Sequence, residues 1–174
     1  MERSTHKGSE VRIFAVAASE LTAQGSIQRA TGAFLKALEA IPDQLEKGDP
    51  VAGAIAISGN NLACELEEKE DKSPEEIELM LMAAKAGRKY WEVAGSWIEV
   101  ERAEYRLAMS YLSAGNPKQA LEHARMCEAV CVENQADPFE LFFAYEVLTK
   151  ASRAMCEDYK SQLPAENQKF CNIP

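Results

Sequence analysis

The residues with the richest chemistry lie on one short stretch. His123, Cys127 and Cys131 recur at intervals of four, so on a helix an imidazole and two thiols line one face. Those are the ligand types of zinc and of redox-active metals, and a thiol beside a histidine is also a nucleophile beside its base. Spacing limits both ideas. Eight residues of helix rise about 12 Å, so one ion reaches only an adjacent pair and needs ligands from another helix. Cysteine is also a small residue that packs well in a core, and packing is the role expected here. Cys64, Cys156 and Cys171 make no close-spaced Cys-x-x-Cys pair. No metal and no cofactor is expected. His6, the other histidine, lies in residues 1–8, which read as a flexible tail. Phosphate-cradling loops are absent, since neither Gly-x-Gly-x-x-Gly nor Gly-x4-Gly-Lys-Ser/Thr occurs. No catalytic residue is assigned, and the chain is expected not to be an enzyme. A thiol- or metal-dependent sensor or enzyme centred on His123 and Cys127 is the alternative from a different class.

Charge narrows the partners. Among 174 residues, 28 acidic side chains face 19 basic ones, a net charge of −9. That balance opposes phosphate-dominated contact with nucleic acid or anionic lipid. Residues 65–78 hold eight acidic and two basic residues, which suits a solvated helix end and loop, or a docking surface for a basic partner. The run Leu79-Met80-Leu81-Met82 is apolar on every side of its helix and is expected in the core. No apolar run approaches the roughly 18 residues of a membrane span, and no signal-peptide core follows Met1. Five cysteines, an odd number, fit reduced thiols better than a disulfide framework. A cytoplasmic, bacterial protein is expected, with neither nucleic acid nor membrane among its partners.

The elements that must position these groups are marked by proline. Pro suits the first helical turn and not the interior. Ser73-Pro74-Glu75-Glu76 has a capping serine, Pro at the first position and a glutamate that can bond back to the cap. Asn116-Pro117-Lys118-Gln119 and Asp137-Pro138-Phe139-Glu140 repeat this arrangement, and Asp49-Pro50 has the cap and proline alone. Gly115 is placed to end a helix in the left-handed conformation, with Gly25, Gly48 and Gly95 at similar breaks. Between the breaks apolar residues recur every three or four positions, the helical period, and no sustained alternation marks a strand. Helices are expected over 9–24, 26–46, 51–71, 74–94, 97–114, 117–134 and 138–157, with a short final one around 162–171. Trp91 and Trp97 bracket one break and are expected to staple it.

Two stretches repeat each other. From Val11 the chain runs Phe14, Ala17-Ala18, Leu21, Gly25-Ser26, Ala30, Phe34, Ala37 and Pro42. From Glu101 it runs Leu107-Ala108, Tyr111, Gly115-Asn116, Ala120, Ala124 and Cys127, at the same offsets. Both resemble the tetratricopeptide repeat, a helical hairpin in which small residues sit where its two helices approach most closely. Weaker copies begin near 56 and 142, so the spacing between starts is 45, 45 and 41 residues rather than the family's 34. The resemblance implies one all-α domain over 1–174. It would be a right-handed stack of about four antiparallel helix hairpins, with units near 11–50, 51–95, 96–135 and 136–174.

What the resemblance implies about function is binding. In that family the first helix of each unit lines a concave surface that contacts a protein or peptide ligand. Carried onto this chain, the inward positions of interest are Asn60, Arg102, Tyr105, Glu146 and Arg153. An amide, guanidinium and phenol converging there would suit a peptide backbone or a carboxylate terminus. The competing structural role is an ion pair from Arg102 to Glu146, with Tyr105 packed between units. An adaptor or regulatory component is the expected function. A self-assembling structural protein, a possible homodimer capped through its weak last unit, is a further alternative.

Overall fold

The computed structural model describes residues 2–162. Among them are seven helices and no strand: α1 (Glu2–Ala23), α2 (Ile27–Glu39), α3 (Pro50–Glu67), α4 (Pro74–Ala94), α5 (Trp97–Ser113), α6 (Pro117–Glu133) and α7 (Pro138–Gln162). Short polar side chains fix the starts of α3 to α7 by accepting the free N–H groups of the first turn. Ser73 Oγ accepts from the Glu76 N–H at 3.2 Å while Glu76 Oε2 accepts from the Ser73 N–H at 2.8 Å, a reciprocal box. Ser96 and Glu99 make another. Asp137 caps α7 through the N–H groups of Phe139 and Glu140 at 2.8 and 3.2 Å. Its expected return partner is used elsewhere, because the Glu140 carboxylate accepts from Arg102 of α5.

Four boundaries differ from expectation by four residues or more, one of them the end of α3 at Glu67 rather than 71. Helix α1 starts at Glu2 rather than near 9, so the expected tail is helical from that residue onward. Helix α2 stops at Glu39 instead of 46, because Pro42 has no N–H to continue the ladder and disfavours helical backbone before it. The freed loop turns to cap α4: Lys47 Nζ donates to the carbonyls of Glu92 and Gly95 at 2.9 and 2.7 Å. Helix α7 continues past 157 to Gln162, and the short helix expected around 162–171 falls, beyond that residue, outside the described residues.

The two stretches with matching sequence turn in the same way. Gly25 and Gly115 have φ of 72° and 69°, a conformation that costs a residue with a Cβ and favours glycine. After them the Ser26 N–H donates to the Leu21 carbonyl at 2.8 Å and the Asn116 N–H to the Tyr111 carbonyl at 2.9 Å, closing each helix by the same six-to-one bond. Gly95 is the exception, with extended backbone at φ −103°.

Sequence neighbours pack as pairs, α1 on α2, α3 on α4 and α5 on α6, and α7 packs on α6. The odd-numbered helices also touch in series, α1 to α3, α3 to α5 and α5 to α7. Small residues allow these approaches. Ala30, Ala37, Ala120, Ala124 and Cys127 are fully buried at their repeated offsets. Leu79 and Met80 are buried as well, with Leu81 and Met82 partly so. Trp91 packs partly buried against the core, and Trp97 is half-buried.

Helices α3 and α4 cross in close backbone contact. A Cβ on Gly59 would lie 2.5 Å from the Ala83 carbonyl oxygen and 3.0 Å from the Gly87 nitrogen. Both are backbone atoms, which cannot turn aside as a side chain can. Gly59→Ala is therefore expected to destabilise the protein by about 1–3 kcal/mol in urea titration. Were α3 free at this point, the same change would stabilise by up to about 1 kcal/mol through helix propensity, and that result would contradict the crossing.

Candidate functional site

Helix α5 carries its charge inward. Glu101 stands two turns before the buried Ala108 and Glu104 two turns before the buried Tyr111, on the same stripe, and both are at most 2% exposed. Buried carboxylates need bonds to offset lost hydration, and those bonds come from the surrounding helices. Glu104 accepts from Arg88 of α4, and its other oxygen meets Nδ1 of His123 of α6 at 2.6 Å. The His123 ring stacks on Tyr111 with centroids 5.4 Å apart. On the other side of α5, Arg106 and Ser110 donate to Glu67 of α3. Towards α7, Arg102 donates to Glu140 and the Tyr105 hydroxyl donates to Glu146 at 3.0 Å.

These surroundings set the protonation states. Burial works to raise the Glu104 carboxyl, but the bonds from His123 and Arg88 outweigh it and hold it below the ordinary range. Glu101 goes the other way. Burial pushes it up, and the neighbouring Glu140 carboxylate adds to this against the opposing bond from the Cys127 thiol. That thiol donates to Glu101 Oε1 at 2.9 Å. Burial, then the Glu101 bond, drives the Cys127 thiol up, and burial with the nearby acids pushes Cys131 to about 12. Both stay protonated at neutral pH, and a protonated thiol is a poor nucleophile and ligand. His123 and Cys127 thus serve separate carboxylates, and no group of three His, Cys, Asp or Glu among the described residues is arranged to hold a metal ion.

Between α3, α5 and α7 lies a cleft of about 270 Å³, lined by Asn60, Glu101, Arg102, Tyr105, Arg106, Phe139, Glu140 and Phe143. Three of the five expected site residues meet there: Asn60, Arg102 and Tyr105. Glu146 joins them through its bond from Tyr105. Arg153 does not, being 82% exposed and paired with Glu157 one turn along its own helix at 2.9 Å. The pair considered between Arg102 and Glu146 is replaced by Arg102 with Glu140, while Lys150 takes Glu146. Tyr105 stands edge-on to Phe143 with ring centroids 6.0 Å apart. Burial, then the Glu146 bond, pushes its phenol to about 12, so it stays a neutral donor.

Sequence reasoning placed Phe143 among the inward positions but missed Glu101, Arg106, Phe139 and Glu140. A signal was present: the stripe Leu107, Ala108, Tyr111, extended back by three and four, lands on Glu104 and Glu101. A larger cleft of about 600 Å³ lies between the 40–49 loop and α4, lined among others by Leu38, Ile41, Lys89 and Tyr90, and none of its lining residues is a buried charged group.

The raised Glu101 carboxyl has a consequence for stability. Below the ordinary glutamate value of 4.5, Glu101 is protonated folded and unfolded, and its burial carries no ionic penalty. As pH rises from there through the raised folded value, the unfolded chain releases the proton more readily, and stability falls. Glutamine imitates the protonated acid, accepting from Cys127 and donating towards Glu140. Glu101→Gln should melt like wild type near pH 4 and be more stable near pH 8 by roughly 1–3 kcal/mol, the usual cost of a buried unpartnered polar group. A variant less stable than wild type at pH 8 would show that the charged form is the one the fold holds.

Compared with known proteins, the chain matches no family model, no curated protein and no solved structure.

Proposed function

We propose that this chain is a peptide- or protein-binding module built as a right-handed stack of helix hairpins, acting as an adaptor or regulatory component. The stack is supported by the serial contacts of the odd-numbered helices and by the two equivalent turns after Gly25 and Gly115. In such a stack the odd-numbered helices line the inner wall. The observation that carries the functional reading is the cleft on that row of helices, with Asn60, Arg102 and Tyr105 converging beside apolar side chains that face water. Of ten exposed large hydrophobic residues among the described ones, seven lie on α1, α3 and α7, including Ile13, Ile57, Phe139 and Phe142. Exposed aromatics beside a guanidinium and an amide supply the apolar anchors and main-chain bonding that peptide recognition uses. The thiol or metal alternative has no comparable support, since its two residues engage different acids.

A second copy covering the aromatic face of α7 is the competing occupant, because Phe139, Phe142, Tyr145 and Tyr159 are all exposed there. Selection of peptides from a displayed random library, followed by affinity measurement on the monomer, separates the two. Phe142, 63% exposed, can be changed without touching the core. Phe142→Ser should leave the melting temperature unchanged and weaken the selected peptide by about tenfold. Failure to enrich any peptide, together with concentration-dependent dimers in light scattering that Phe142→Ser abolishes, would replace the proposal with self-association.

A further inference from the structure

The charges around the cleft are paired with one exception. Glu67 takes Arg106, Glu140 takes Arg102 and Glu146 takes Lys150. Glu101, 1% exposed and part of the cleft lining, makes no ion pair among the described residues, and the charge of Arg102, bonded to Glu140, does not offset its burial. One of its oxygens accepts the Cys127 thiol, and the other, Oε2, is buried with no hydrogen-bond partner. The Glu140 carboxylate beside it repels negative charge on Glu101. Two things relieve an acid in this position: a proton, or a cation brought in from outside. The walls favour one kind of cation. Tyr105, Phe139 and Phe143 line the cleft together with the two acids, and aromatic rings attract an alkylammonium through their π faces. The cleft volume suits a single side chain.

Building on the peptide-binding reading, we infer that the cleft receives the primary ammonium of a lysine side chain, with Glu101 as its ion-pair partner and Glu140 as a second acceptor. The ammonium has three N–H donors, enough for Glu101 Oε2, Glu140 and one further acceptor. Access requires a bordering side chain to move, and Arg102, 59% exposed, is the one with room to do so. Ammonium replaces the proton on Glu101, so binding releases that proton and tightens as pH rises. The charged and titratable groups around Glu101 are Arg102 of α5, Cys127 and Cys131 of α6 and Glu140 of α7, with Tyr105 and Arg106 of α5 lining the same cleft, Arg106 paired with Glu67 and its Nε buried without an acceptor. Both thiols stay protonated through the neutral range, which leaves Glu101 as the group that titrates with binding.

The test is calorimetry on the full chain with three probes: a capped pentapeptide with one central lysine among alanines, the same peptide with that lysine Nε-acetylated, and n-butylammonium. The lysine peptide should bind, more tightly above the pH at which Glu101 loses its proton than below it, and below that pH its binding should release a proton that shows as a buffer-dependent heat. Acetylation should weaken it by about tenfold or more, and so should Glu101→Gln, whose melting temperature stays at or above wild type. Equal binding of the two peptides, indifference to Glu101→Gln, or no binding by any probe would overturn the inference. Equal binding that Phe142→Ser weakens would do so while leaving the peptide-binding reading in place. Butylammonium bound through Glu101 with neither peptide bound would keep the ammonium site and sink the peptide reading instead.

Discussion

One helix holds four others in register. Six side chains of α5, from Glu101 to Ser110, make polar bonds to α3, α4, α6 and α7. Apolar packing alone tolerates a helix that slides or rotates slightly, because contacts between hydrocarbon groups have no direction. A buried carboxylate is stricter. Shift α5 by one turn and Glu104 leaves both Arg88 and His123, stranding a charge in the core at a cost of several kcal/mol. The polar bonds therefore act less as added stability than as a selection against every other arrangement of the same helices.

That constraint also shapes the surface available to a ligand. Helix α5 turns its acids towards α6 and α4, its basic residues towards α3 and α7, and Tyr105 to the bond with Glu146. Between α5 and α7 the matching is incomplete, since the guanidinium of Arg102 is bonded to Glu140 and Glu101 beside them forms no ion pair of its own. A structural network would be cheaper to complete with one more basic residue. Here the unmatched acid coincides with a cleft and with exposed phenylalanines, so one small region combines charge, aromatic surface and space.

The sequence made the helices legible because their boundaries are written in local chemistry. Asp49, Ser73, Asn116 and Asp137 cap helices in the structure as their spacing to proline predicts. Ala30, Phe34, Ala120 and Ala124 are buried where the repeat pattern puts them. Tyr105 and Arg102 line one cleft, as the helical period that puts them on one face of α5 expects. What could not be read was the choice of partner. Glu140 looks like half of a capping box from its spacing to Asp137, yet it lies within reach of Arg102, 38 positions earlier, and the stronger charged partner prevails. Glu101 and Glu104 were overlooked for a related reason. Glutamate is seldom buried, so a stripe search that counts only apolar residues stops at Leu107. Arg153 was carried over from the repeat offset alone, and nothing on α5 reaches so far along α7.

The central claim is that Glu101 is a buried acid without a cation of its own in the unliganded protein. Carbon-detected NMR titration of the glutamate side-chain carboxyls in the full chain tests it directly, with Glu101→Gln identifying the resonance. The account predicts that the Glu101 carboxyl protonates above the ordinary glutamate value of 4.5, while Glu104 protonates below it. A Glu101 carboxyl that titrates at or below that value would mean a cation already satisfies it, and would contradict the account.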